Sequence, residues 1–277
     1  MRVTLGEVSF ELREPFDFSF LGAYGEPFEV YDQQDSGNLC FGLRRGSEKL
    51  FLKLAGAATA RASVSPEETI RRMRACSAVW RALEHPALLR LIGDGPVPGG
   101  YIQVFEYGEG RCMSPMYGDH ALFMALPLQE KLGIYETVLA FHEQVNARGY
   151  VAIDFYDGCI LYDFERKITR LCDAEFYRPM PVVNEMGRMW GSSRFMSPEE
   201  FTLGAVIDGR SNVFTMGQTA FQLFGGGTDH APEKWQAGDA LYRVALRAVR
   251  VRREERYASV ADYRAAWAAV LAGEVLA

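Results

Sequence analysis

The spacing of apolar residues changes along the chain, and this change limits the fold more than any other feature. Over residues 1–56 the apolar positions come in short runs, "VSFEL", "FDFSF", "FEVYD", "LCFGL" and "LFLKL", separated by Gly, Pro and polar clusters. That pattern suits strands with one buried face. From 127 onward the spacing is helical over "PLQEKLGIYETVLAFHEQVNARG", "NVFTMGQTAFQLF" and "ALYRVALRAVR". A single helix interrupts the first part. Ser65-Pro66-Glu67-Glu68 reads as a capping box, with Ser65 at the N-cap, Pro66 at N1 and Glu68 at N3. Met73, Cys76, Val79 and Leu83 continue it until His85-Pro86, so a helix is expected over 66–84. Two short strands, "LLRLIGDG" and "GYIQVFEYG", follow. The expected architecture is α+β: a β-rich part with one helix over 1–108 and a larger helical part over 109–277, joined near "EYGEGRC".

Composition removes several classes of function. No apolar run among the 277 residues approaches the ~18 that a membrane span needs. The start, Met1-Arg-Val-Thr-Leu-Gly-Glu, alternates like a strand and lacks the apolar centre of a signal peptide. Cys40, Cys76, Cys112, Cys159 and Cys172 are scattered without a C-x-x-C pair. They suggest neither a disulfide framework nor a zinc site, and the expected setting is a reducing cytoplasm. A formal charge of −6 gives no electrostatic reason to bind nucleic acid or an anionic membrane.

One stretch resists a reading as simple core. "GYVAIDFYDGCILYDFERKITRLCDAEFY" sets Asp154, Asp157, Asp163 and Asp173 among residues that otherwise read as buried strand. An unpaired buried charge is costly, so these carboxylates belong at loop tips in water or around a cation.

The order of these elements and several local strings resemble the protein-kinase superfamily over roughly residues 20 to 270. "EKLFLKLAGA" resembles the strand that carries the phosphate-pairing lysine, here Lys53, and "LEHPALLRLIGDG" the junction after the regulatory helix. "IQVFEYGEG" is similar to a kinase hinge, which makes Phe105 the gatekeeper and implies adenine contacts at the Glu106 carbonyl and the Gly108 backbone. "FHEQVNARGYVAIDF" resembles the approach to a catalytic loop whose aspartate is Asp154, and "LCDAEF" stands in the place of D-F-G, which implies magnesium at Asp173. "GSSRFMSPEE" resembles the end of an activation segment, and "ERYASVADYRAAW" the last helix, so Glu199 is expected to pair with Arg256. The resemblance implies a bilobal fold with ATP and magnesium in the interlobe cleft. It also implies phosphate transfer to a hydroxyl of a protein or small-molecule substrate.

The chain departs from the family pattern at named positions. Ala152-Ile153 precedes Asp154, so the arginine that would read a phosphorylated activation segment is missing. Cys159 replaces a magnesium-binding Asn and is a soft, poor ligand, a role that Asp157 could take over. "DAE" loses the packing Phe but adds Glu175 as a further candidate metal ligand, even with a reading as solvated loop. Phe51 stands where the family places a small residue beside adenine. "LGAYGEPFEV" is one placement for the phosphate loop. "YDQQDSGNLCFGL" is better spaced from Lys53, with Gly37 as its glycine and aspartates that repel phosphate. Cys76 occupies the position of the regulatory glutamate, so Lys53 is expected to pair with Asp173 instead.

Other residues have simpler readings. Asp154 and Asp173 can also cap turn amides, Asp157-Gly158 is by default a turn, His142 reads as a core histidine and Cys159 as a small buried hydrophobe. Three functions stay open at this point: an ATP- and magnesium-dependent Ser/Thr phosphotransferase, a pseudokinase serving as a binding module, and a small-molecule phosphotransferase.

Overall fold

The structure is a computed structural model and describes residues 1–33 and 36–273. It divides into two compact units, Met1–Gly108 and Glu109–Ala277. Among the described residues no helix is long and apolar enough to cross a membrane.

The first unit is built on a five-stranded antiparallel sheet. A hairpin of β1 (Arg2–Leu5) and β2 (Val8–Glu11) precedes it. The sheet strands are β3 (Glu26–Tyr31), β4 (Leu39–Arg45), β5 (Glu48–Ala55), β6 (Leu91–Val97) and β7 (Gly100–Glu106), in the order β3-β4-β5-β7-β6. Period-two alternation decides which face each side chain joins. Leu39, Phe41 and Leu43 of β4 and Leu50, Leu52 and Leu54 of β5 enter a core with Phe10, Leu12, Ile102 and Val104. Fully burying each such side chain contributes about 1.5–3 kcal/mol, so this layer is the unit's main support.

The other face of the sheet carries α1 (Pro66–Ala82). Ser65 caps it by accepting the Glu68 N–H at 3.3 Å, as the capping box predicts. Met73 packs with Ala55 and Tyr101, and Trp80 packs on Phe105 with centroids 4.6 Å apart. Below them the buried Gln103 amide nitrogen shares its two hydrogens among the Met73 carbonyl, the Cys76 sulfur and the Ser77 hydroxyl, at 3.2, 3.2 and 2.9 Å. This polar knot joins α1 to β7.

"FDFSF" is not a strand, which corrects the reading from alternation. Its residues lead into a 3-10 turn, Ser19–Ala23. Phe16, Phe18 and Phe20 still pack on the core. The Asp17 carboxylate accepts the Ser19 N–H at 2.9 Å, so a local turn takes the place of a ladder bond.

The second unit is mainly helical: α2 (His120–Met124), α3 (Leu128–Ala147), α4 (Gly209–Gly225), α5 (Asp239–Ala248) and α6 (Val260–Leu271). Every residue of α4 from Ser211 to Phe224 is buried, which makes it the central helix. The Tyr135 hydroxyl on α3 donates to the Met216 carbonyl of α4 at 2.7 Å and therefore accepts from Tyr263 of α6, also at 2.7 Å. Short strands carry the loops of interest. They are β8 (Arg111–Cys112), β9 (Tyr150–Val151), β10 (Ile160–Asp163), β11 (Ile168–Leu171), β12 (Arg178–Pro179), β13 (Val182–Val183) and β14 (Val206–Ile207). They pair as β11-β10-β8, β12-β9 and β13-β14.

Candidate functional site

In the first unit the residues assigned to nucleotide lie on or beside one half-exposed face. Alternation along β5 buries Leu50, Leu52 and Leu54 and leaves Lys49, Phe51 and Lys53 on the opposite side. Lys53 lies between Cys40 of β4 and Gln103 of β7. Phe51 stands beside Tyr31, centroids 6.0 Å apart, so aromatic surface fills the place expected to need a small residue. Glu29 accepts from the Tyr31 and Tyr107 hydroxyls at 3.0 and 2.8 Å, which ties the hinge-like segment to β3. Glu106 ends β7; its N–H donates to the Arg90 carbonyl at 3.1 Å, and Gly108 ends the unit.

Gly37 does not offer an open backbone. It is buried with φ +79°, and a Cβ there would lie 3.1 Å from Ala62, 3.2 Å from Thr69 and 3.4 Å from Val64. The unit's own side chains enclose the glycine expected to grip phosphate. Gln34 and Asp35 of the same turn lie outside the described residues. No carboxylate from α1 replaces the missing regulatory glutamate. Cys76 is locked in the Gln103 knot, and Glu68 is held by Arg71 and Arg72 at 2.7 and 2.6 Å.

In the second unit Asp154 and Asp173 each adopt a left-handed backbone, with φ +61° and +65°. Few non-glycine residues do so, and Asp tolerates it better than most. Asp154 follows β9 on a loop held from below, where the Ala152 N–H donates to Asn212 of α4 at 3.1 Å. Asp173 follows β11. Burial, and then the neighbouring charge of Asp173, pushes the Asp154 carboxyl up to about 7, against the opposing hydrogen bond from the Ser192 amide. Glu200 and Glu175 add to the upward push. Gly191 makes this crowding possible, since a Cβ there would lie 3.3 Å from the Asp154 Oδ1.

The metal set read from the sequence is not assembled as expected. Asp157 is fully buried, and both its oxygens accept from the Arg194 guanidinium at 2.8 and 2.9 Å. The guanidinium also donates to Gln222 of α4 at 3.2 Å. Asp157 is therefore part of a structural ion pair, since a metal would have to displace its arginine. Glu175 is buried, and its carbonyl accepts from Arg178 at 2.8 Å. Among the described residues no three His, Cys, Asp or Glu side chains gather to hold a metal. The Cys159 thiol is turned to the Asp154 carbonyl at 3.8 Å, and burial keeps it protonated.

The tie expected from the sequence is present, and so is the core histidine. Arg256 donates to both Glu199 oxygens at 2.7 and 3.0 Å, Ser211 donates to the same carboxylate at 2.9 Å, and the arginine is buried. Burial raises the Glu199 carboxyl and Arg256 more than reverses this, so the net shift is downward. His142 is a core residue. Its Nδ1 lies 2.9 Å from the Val138 carbonyl and so carries the proton, which leaves Nε2 to accept from Tyr177 at 2.9 Å. Arg194, Asn212, Gly191 and the Ser192 amide were not found from the sequence. A buried Asp157 demands a partner, but no local pattern identifies one 37 residues away.

No protein-family profile matches the chain. It is 31% identical over 241 residues to the serine/threonine-protein kinase Pkn1 of Myxococcus xanthus, an alignment covering 75% of this chain and 33% of that protein. It is 26% identical over 153 residues to serine/threonine-protein kinase pkn2 of the same organism, covering 52% of this chain and 18% of the relative. The chain thus spans a third or less of the length of these relatives. Their likeness agrees with the strand-rich unit, the helical unit and the buried Glu199–Arg256 pair, and the chain belongs to the protein-kinase superfamily.

Proposed function

We propose that the chain is a phosphotransferase of protein-kinase type, which binds ATP with magnesium and passes the γ-phosphate to a Ser or Thr hydroxyl. The observation that carries this reading is the Asp154 carboxyl. It is held in a left-handed turn, crowded by Asp173 and pushed up to about 7, where a carboxylate is poised to take a proton near neutrality. Its roles would be to orient the acceptor hydroxyl and to receive its proton. Lys53 would pair with phosphate oxygens, and the Glu106 carbonyl and Gly108 backbone would hold the base beside Phe51. Asp173 would hold the cation, with Glu175 adding negative field behind it.

The donor set suits one magnesium better than two. Magnesium is commonly held by one or two carboxylates and completes its shell with phosphate and water, a demand Asp173 can meet. The second ion of a kinase site would need Cys159 or Asp157, and the structure gives each another occupation. When bound, magnesium neutralises phosphate charge and orients the transferred group.

Calorimetric titration of ATP with and without magnesium tests the reading. Tighter binding with magnesium, together with phosphate transfer to a Ser/Thr peptide, is the expected result. Equal affinity in EDTA and in excess magnesium would remove the metal site. A pseudokinase is the second reading, and the enclosed Gly37 and the Cys76 that stands in place of the regulatory glutamate on α1 favour it. It predicts ATP binding, or none, with no transfer to any acceptor. The buried Glu199–Arg256 tie weighs against a small-molecule phosphotransferase, because those simpler relatives lack this platform.

A further inference from the structure

An arginine-lined groove lies on α5, among residues with no part in the proposed chemistry. Arg243, Leu246, Arg247, Arg250 and Glu255 line about 510 Å³ of open groove. Its three arginines are exposed; Arg243 and Arg247 follow at i and i+4 on α5 and share one face, and Arg250 lies just past the helix end. Like charges at that spacing weaken a helix, and the chain as a whole is acidic at −6. A local excess of cations here needs its own explanation. The helix dipole accounts for Arg247 in the last turn but not for Arg243 near the middle.

The nearby acids, Glu255 of the lining included, have arginine partners outside the groove. Glu254 and Glu255 face Arg252 at 2.8 and 3.5 Å, Asp208 takes Arg253 at 2.5 Å, and Glu199 takes Arg256. Among the described residues the Arg243 and Arg250 guanidinium groups have no carboxylate partner. Arg247 is already fixed. Its guanidinium lies 4.4 Å from the Tyr257 ring centroid, and its Nε donates to the Glu255 carbonyl at 3.4 Å. The groove thus combines one preorganised guanidinium, two uncommitted ones and the apolar edge of Leu246.

We propose that this groove binds a phosphomonoester dianion, on a phosphorylated side chain or on a free phosphate compound. Guanidinium forks match phosphate oxygens two at a time, and a dianion satisfies two arginines that a single carboxylate could not. The site is separate from Asp154 and Asp173, and its occupancy can be read without phosphotransfer.

The test follows arginine Nε–H resonances of the labelled full chain at fixed ionic strength. Inorganic phosphate, a phosphoserine peptide and the same peptide unphosphorylated are the probes. Saturable shifts at Arg243, Arg247 and Arg250 with the phosphorylated probes are expected, weakened at least tenfold in the Arg243→Gln/Arg250→Gln variant. Arg243→Lys/Arg250→Lys keeps charge without the fork and should bind at least threefold more weakly than the unsubstituted chain. Tenfold tighter binding of the phosphopeptide than of phosphate assigns the groove to a phosphorylated chain, and equal affinities assign it to a free phosphate compound. The proposal is overturned if the unphosphorylated peptide shifts the same resonances equally, if sodium chloride reproduces the shifts, or if both double variants bind like the unsubstituted chain.

Discussion

At Asp154 chemistry and stability pull in opposite directions. A carboxyl pushed up to about 7 is destabilised in its charged form, chiefly by burial and by Asp173. Asp154→Asn removes that charge and keeps a residue that tolerates a left-handed backbone. The expected result is turnover lowered by roughly 10²–10⁴, ATP affinity nearly unchanged, and a melting temperature at pH 8 that holds or rises. Asp173→Asn should instead lower magnesium-dependent ATP affinity together with turnover. Loss of several degrees of melting temperature in Asp154→Asn would show that the carboxylate is a turn cap. Gly191 sets the same balance from the other side, because any Cβ there presses on the Asp154 oxygen.

Between elements, the half-exposed Arg194 pairs with the fully buried Asp157 and joins the 3-10 turn Asp157–Cys159 to the segment before the Pro198 turn and to Gln222 on α4. Truncating the arginine leaves a fully buried carboxylate without its cation. Arg194→Met should therefore cost about 3–5 kcal/mol in urea unfolding, and an Asp157→Leu/Arg194→Met pair markedly less than the single change. A loss below about 1 kcal/mol with altered magnesium affinity would return Asp157 to the metal site. This connection was hidden in the sequence, where Asp157-Gly158 reads as a turn. The capping box at Ser65 was legible because all its parts lie within four residues. "FDFSF" misled because alternation reports which side chains reach the core, and a loop can satisfy it as well as a strand. Gly37 misled because a glycine needed for close packing on Thr69 looks, in sequence, like one needed for phosphate.

Across the whole molecule, buried carboxyls shape the response to pH. Burial pushes Glu200 up to about 7, although it accepts from the Ser197 N–H and hydroxyl at 2.6 and 2.8 Å. A folded-state value above the unfolded one means that the native chain takes up the proton first as pH falls. Stability from Glu200 and Asp154 should therefore rise from pH 8 toward pH 5. Glu199, held net lower by Arg256, acts in the opposite sense and loses its contribution only as pH drops below the unfolded value of 4.5. A melting-temperature optimum on the acidic side of neutrality is expected. Glu200→Gln should raise stability at pH 8 by up to about 3 kcal/mol and flatten the slope. A melting temperature that falls steadily from pH 8 to pH 5 would contradict this ordering. Much of the architecture was legible, since the helical stripes of α3 to α6 are long and the Glu199–Arg256 tie lies within a recognisable order of strings. Contacts such as Ala152 to Asn212 were not, because they depend on backbone groups that every residue carries.

The Tyr135 hydroxyl adds a consequence in time. It donates to the Met216 carbonyl while Tyr263 donates to its oxygen, all within a buried junction of three helices. Water reaches that hydroxyl only when α3, α4 and α6 separate together. Its exchange with solvent therefore reports a concerted opening of the second unit's helical core, while exposed turns such as that around Gly46 exchange many times over in the same interval.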